Sequence, residues 1–166
     1  MADTWPEPVE RVAAFIRSAG TEARIEEFPE GTPTAQAAAD AVGCELRQIV
    51  KSLVFTCGER ILLVMVPGDR RADSAKVAAA GGCEKARVAG PEVVVDATGF
   101  EPGAVAPFPL RRVDRVFVER SLLALERVWI GAGSTRHMAA LAPSDLVRLA
   151  RAQPLDAVED PDRSRG

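Results

Sequence analysis

The run Arg60-Ile61-Leu62-Leu63-Val64-Met65-Val66 limits the fold of this chain more than any other segment. After Arg60 it holds six apolar residues and no polar one, so it lacks the alternation of a half-buried strand. It predicts a strand covered on both faces, inside a sheet with a layer on each side. Ile49-Val50-Lys51-Ser52-Leu53-Val54-Phe55 precedes it, and Cys57-Gly58-Glu59 between them predicts a hairpin. A chain of 166 residues is long enough to bury such a sheet in one domain.

The remaining segments supply the layers. Pro8 to Ala19 carries a helical apolar stripe, and Ala35 to Val42 reads as an alanine-rich helix with Thr34 as N-cap and Gly43 as its end. Ile25 to Phe28 reads as a short strand and Glu45 to Gln48 as a short helical turn. Asp73 to Ala80 reads as a helix with Asp73 near its start. Pro91 to Ala97 is read as a helix because proline suits the first turn, although three valines leave a strand open. Arg115 to Val118 and Arg127 to Ile130 read as strands, with a short helix over Ser121 to Leu125. Gly131-Ala132-Gly133 reads as a tight loop with a helix after His137, and Pro143 to Ala152 as the last helix. Helices and strands mix without strict βαβ alternation, which predicts a mixed α/β (α+β) fold: a single mixed β-sheet surrounded by helices. Residues 1–153 are read as one domain and 154–166 as a polar, flexible tail.

Composition excludes several classes. Hydrophobic residues at 47% and charged residues at 27% suit a soluble globular protein, and no apolar run is long enough to span a bilayer. The acidic start MADTWPEPVE lacks the features of a signal peptide. Cys44, Cys57 and Cys83 are odd in number and form no C-x-x-C pair, so they are read as reduced apolar residues in a cytoplasmic protein. With one histidine they make a poor zinc set, and no metal or cofactor is expected. The net charge is −3, yet residues 44–127 carry a balance of +2 against −5 for residues 1–43. That pattern fits transient contact with a polyanion, not tight non-specific nucleic-acid binding. No DNA or membrane partner is expected.

Two features stand out chemically. Lys51 lies in an apolar strand, and period-two alternation puts it on the face of Ile49, Leu53 and Phe55; it either snorkels to water or lines a pocket. Thr98 to Leu110, TGFEPGAVAPFPL, has three prolines and two glycines, which exclude a regular helix or central strand. Its apolar residues predict an ordered loop held against the body. His137 lacks a Ser-His-Asp, Cys-His or metal-ligand spacing. Gly131-x-Gly133 lacks the context of a nucleotide fingerprint.

The motifs together resemble the YbaK/ProX family of aminoacyl-tRNA editing domains, which includes free-standing deacylases and the editing insertion of bacterial prolyl-tRNA synthetases. Thr34-Ala35-Gln36-Ala37-Ala38-Ala39 is similar to the family's T-A-x-x-A-A, and Ile49-Val50-Lys51-Ser52-Leu53 to its I-V-K-S/T-L. Val66-Pro67-Gly68-Asp69-Arg70 is similar to its P-G-D segment. Thr98-Gly99-Phe100, followed by Gly103-Ala104-Val105-Ala106-Pro107, is similar to its T-G-Y loop and G-x-x-x-P motif, and Pro143-Ser144-Asp145-Leu146 to its late P-x-D/E-L. Phe100 stands in place of the usual tyrosine, Glu101-Pro102 is unusual, and Gly103-Ala104 stands where many members have Gly-Gly.

The resemblance implies a curled form for the predicted sheet and a trans-acting deacylase that hydrolyses the ester of mischarged tRNA, with tRNA(Pro) as the favoured substrate. The alternative is a non-catalytic module of the same fold that binds tRNA or a synthetase. It implies Lys51 as the catalytic residue, and Thr34, Ser52, Gly99, Phe100, Gly103, Ala104, Pro107, Gly131 and His137 as substrate-binding residues. The partner is the 3′ end of mischarged tRNA, with an aminoacyl-tRNA synthetase or an elongation factor as further partners. Lys51 would hold the substrate's phosphate or ribose, and the backbone N–H groups of Gly103 and Ala104 would grip the substrate or the developing oxyanion. The lack of a recognisable side-chain base points to a substrate-assisted route.

Overall fold

The computed structural model describes residues 5–160. Helix α1 (Glu7–Ser18) starts at Pro6 and buries Val9, Val12 and Ile16, a helical stripe. Strand β1 (Arg24–Glu27) leads to helix α2 (Ala35–Val42). Thr34 caps α2 by accepting the Ala37 N–H, and Gly43 closes it, as its sequence predicts. A 3₁₀ turn, Leu46–Gln48, follows with a capping box between Glu45 and Gln48.

The hairpin is β2 (Val50–Cys57) and β3 (Arg60–Pro67), joined at Gly58-Glu59 with Cys57 opposite Arg60. Every residue from Leu62 to Val66 is fully buried. Leu63 and Met65 enter the core that contains α1 residues Val12 and Ile16; Leu62, Val64 and Val66 enter a second core around Val77, Ala78 and Phe117. The unbroken apolar run is thus explained by two layers of packing.

Helix α3 (Ser74–Gly81) is capped by the Asp73 carboxylate, which accepts the N–H groups of Ala75 and Lys76. Short strand β4 (Ala86–Val88) precedes helix α4 (Pro91–Thr98), so the helical reading of the valine run holds. Residues 99–114 form no helix or strand, in line with their prolines. Then come β5 (Arg115–Glu119), a 3₁₀ turn (Arg120–Ala124), β6 (Val128–Ser134), β7 (His137–Leu141), helix α5 (Pro143–Ala150) and β8 (Gln153–Leu155).

The mixed α/β architecture holds, with the strands divided between two sheets. One has the order β4-β2-β3-β5-β8, with β5 parallel to β3 and β8 parallel to β5. The other has the order β1-β7-β6 and is antiparallel throughout. A parallel bridge between Ile49 and Trp129 joins them, so the strands form one curled surface in two hydrogen-bonded parts.

Three local expectations are corrected. Gly131-Ala132-Gly133 is not a loop but part of β6, and His137 opens β7 instead of preceding a helix. Glycine is needed in this strand because other backbone presses on it. A Cβ on Gly131 would lie 3.1 Å from the Val105 carbonyl oxygen, and one on Gly133, at φ +100°, 2.8 Å from that of Pro8. Second, Cys57 and Cys83 form a disulfide and only Cys44 is free, so the reading of three reduced thiols fails. The partners are 26 residues apart and meet only because β4 returns beside β2. Third, residues 154–160 are not a frayed tail. Ala157 and Val158 are buried, and Lys76 Nζ binds the carboxylates of Asp156 and Asp160 and the Val158 carbonyl. The buried Glu119 carboxylate accepts the Ala157 N–H from the same segment. The rest of that expected tail, residues 161–166, lies outside the described residues.

No helix among the described residues is long and apolar enough to cross a membrane.

Candidate active site

The N-terminal half of β2 opens onto a cavity of about 320 Å³. Its walls come from the segment before α2 (Thr32, Pro33, Thr34), the start of β2 (Val50 to Leu53), the proline-rich loop (Gly103, Val105) and the β6–β7 hairpin (Gly131, Ser134, His137, Met138). Backbone bonds tie these walls together. Phe28 N–H donates to the Arg136 carbonyl at 2.7 Å, and Thr32 N–H to that of Thr135 at 2.7 Å. The missing side chain of Gly131 admits Val105, bringing the loop against the hairpin.

Lys51 lies, as alternation requires, on the face of Leu53 and Phe55, at the open end of that row. Its ammonium donates to the Arg70 carbonyl at 2.7 Å, in the turn after β3. Burial lowers its pKa from the ordinary lysine value; Asp69 opposes that shift and Arg71 adds to it. Ser52 points to the other side of the strand, where its buried hydroxyl has no hydrogen-bond partner. A hydroxyl left in this condition beside a cavity is ready to bond a ligand.

His137 is only 2% exposed. Its Nδ1 lies 2.6 Å from Ser134 Oγ, its Nε2 lies 3.3 Å from Glu27 Oε2, and Trp5 meets its ring edge-on. The Nε2 contact is at ion-pair distance but lacks hydrogen-bond alignment. Burial is the main cause of a lowered His137 pKa; Glu27 pulls it up and Arg136 pushes it down.

Of the residues singled out from the sequence, Lys51, Thr34, Ser52, Gly103, Gly131 and His137 line this one cavity. Four do not. Phe100 is 1% exposed, in the core, under the Arg11 guanidinium at 5.0 Å. Gly99 ends α4, and its carbonyl accepts from Arg11 Nη2. Ala104 is buried, and its N–H donates to the Glu101 carbonyl at 2.9 Å, so it is not available to an oxyanion. Pro107 is buried and lines a separate cavity with Phe15 and Phe108. The family resemblance implies that they contact substrate, but their packing makes them supports for the loop. Ser134 and Glu27 escaped notice. Only the pairing of three strands brings them to His137, and no spacing motif encodes that. Among the described residues no cluster of three or more His, Cys, Asp or Glu side chains is placed to hold a metal ion.

A curled α/β fold with a lysine-bearing cavity beside a stiff loop has counterparts among known proteins. The chain belongs to the aminoacyl-tRNA editing domain family, whose model matches residues 29–149. It is 33% identical over 123 residues to the uncharacterized protein YwhH of Bacillus subtilis, covering 74% of this chain and 78% of YwhH. It is 27% identical over 105 residues to proline–tRNA ligase of Lactobacillus johnsonii, covering 63% of this chain but only 19% of that enzyme. A crystal structure described as a candidate trans-editing enzyme for prolyl tRNA synthetase superposes with a TM-score of 0.88 at 34% identity, covering 95% of this chain and all of the other.

Proposed function

We propose that this protein is a trans-acting deacylase that hydrolyses the ester between a wrong amino acid and the 3′-terminal ribose of tRNA, with tRNA(Pro) as the substrate tRNA. The observation that carries this reading is the cavity with Lys51 on one wall and Gly103 and Val105 of the proline-rich loop on another. The similarity to proline–tRNA ligases and to a structure described as a prolyl trans-editing candidate supports the choice of tRNA.

Lys51 supplies a compact positive charge that holds the terminal phosphate or ribose and orients the ester. Ser52 and Thr34 offer hydroxyls to the bound aminoacyl-adenosine, and Gly103 offers backbone without a side chain in the way. Because burial weakens the hold of Lys51 on its proton, substrate binding through this charge fades at a lower alkaline pH than an ordinary lysine would allow.

The second reading is a non-catalytic module that binds tRNA or a synthetase. One observation favours it: the Lys51 ammonium is already engaged by the Arg70 carbonyl. A panel of mischarged tRNAs incubated with the purified protein separates the two readings. Deacylation is expected, and it should fall at least about 100-fold in Lys51→Ala while circular dichroism shows the fold retained. Binding without ester loss would favour the module, and full activity in Lys51→Ala would overturn the role given to this lysine.

A further inference from the structure

The β1-β7-β6 sheet carries a row of three polar side chains. Glu27 is the cross-strand partner of His137 on one side, and Ser134 is its partner on the other. Direct partners in an antiparallel pair project to the same face. Glu27, His137 and Ser134 therefore stand side by side across three strands, and Ser134 and His137 line the cavity that holds Lys51.

The hydrogen bonds give the row a direction. Ser134 Oγ accepts the Arg136 N–H at 2.9 Å, so its own proton is free to point at His137 Nδ1, 2.6 Å away. Nδ1 is then the acceptor, and the ring proton sits on Nε2, on the side of the Glu27 carboxylate, which lies 3.3 Å away but out of hydrogen-bond alignment. A carboxylate on that side favours this tautomer and the imidazolium that forms when Nδ1 takes a proton. The arrangement is a hydroxyl at the cavity wall, a buried imidazole behind it and a carboxylate behind the imidazole, which is how an activated hydroxyl is built.

We propose that Ser134 is a catalytic residue of this site, relaying a proton between the reacting water and His137, with Glu27 as the positioning residue that holds the imidazole in the accepting tautomer. This rests on the deacylase reading above and replaces its substrate-assisted route with a base supplied by the protein. In the first step the water oxygen bonds to the ester carbon. Its proton passes to Ser134 Oγ while the serine proton passes to His137 Nδ1. In the second step the bond from the acyl carbon to the ribose oxygen breaks, and the proton returns from His137 through Ser134 to that oxygen. The products are the free amino acid and the tRNA terminal hydroxyl.

Steady-state deacylation kinetics of Ser134→Ala, Ser134→Thr and Glu27→Gln test the relay. Ser134→Ala should lose about 100-fold or more in kcat with little change in KM, the usual scale for a lost proton-transfer group. Ser134→Thr should recover much of the loss because it keeps the hydroxyl and the bond from Arg136. In Glu27→Gln the acidic limb of the kcat profile should move to lower pH. The carboxylate raises the proton affinity of His137, and without it only burial and Arg136 act on the ring, both in the lowering direction. Wild-type kcat in Ser134→Ala beside an inactive Lys51→Ala would overturn the relay and leave the deacylase reading standing. An acyl adduct on Ser134 in quenched reactions would overturn it in favour of direct attack.

A substrate-free measurement tests the relay even if no tRNA is deacylated. The chain has one histidine, so the imidazole nitrogens give one set of NMR signals. The neutral ring should be protonated at Nε2 in the wild type and should lose that preference in Ser134→Ala. A ring protonated at Nδ1 in the wild type would overturn the proposal.

Discussion

The two sheets of this molecule are built on opposite terms. The five-stranded sheet is apolar on both faces through its centre, where Leu62 to Val66 are sealed between two cores. Its margin is tied by the Cys57–Cys83 disulfide and by the segment 153–160, held through β8 and Lys76. The three-stranded sheet packs Val128, Ile130, Ala139 and Leu141 into one core but carries Glu27, His137 and Ser134 in a row at its end. A polar row cannot sit at the centre of a sheet sealed on both faces without desolvating groups that need partners. It is placed where the hairpin and the proline-rich loop leave a cavity. The five-stranded sheet is packed on both faces while the other carries the polar row, and among the described residues Lys51 is the one lysine or arginine that lines the cavity between them.

Substitutions can break or sharpen this division. The largest loss of stability is expected at Phe117, fully buried at the centre of the second core. Phe117→Ala should destabilise the fold by about 3–5 kcal/mol in urea unfolding, while Ser134→Ala should cost far less. Equal losses at the two sites would break the division. Next is the disulfide, which closes a separation of 26 residues. Cys83→Ser should lower stability by about 2–4 kcal/mol, read from the same unfolding curves, and leave the cavity unchanged. No loss would show that the margin is held without the bond.

The smallest effect is a pH dependence that sharpens the comparison. Burial holds the folded-state pKa of His137 below the ordinary value of 6.5, so in the acid range the unfolded chain binds a proton that the folded one does not. The stability gained by keeping the ring neutral is complete above that ordinary value and is lost as pH falls from it toward the folded-state value. Unfolding midpoints of the wild type should therefore decline more steeply below pH 6.5 than those of His137→Gln. Parallel slopes would show that this sheet hides no proton-sensitive group.

Much of the scaffold could be read from local signals because each signal is physical and short in range. The apolar run over β3, the Thr34 cap and the prolines of the loop act on their immediate neighbours. Lys51 stood out because alternation alone put an ammonium on an apolar face. The β6–β7 hairpin was hidden for the opposite reason. Its glycines look like a loop locally, and only the approach of Pro8 and Val105 explains them.

The amino-acid order by itself determined most of the helices and the central hairpin, that one strand is covered on both faces, and that a lysine in an apolar strand and a proline-stiffened loop depart from regular patterns. Only the tertiary structure decided that Cys57 meets Cys83, that residues 153–155 complete a sheet, and that Glu27, His137 and Ser134 share a row. Those pairings join residues distant in the chain, and strand register, not neighbouring sequence, sets which of them touch.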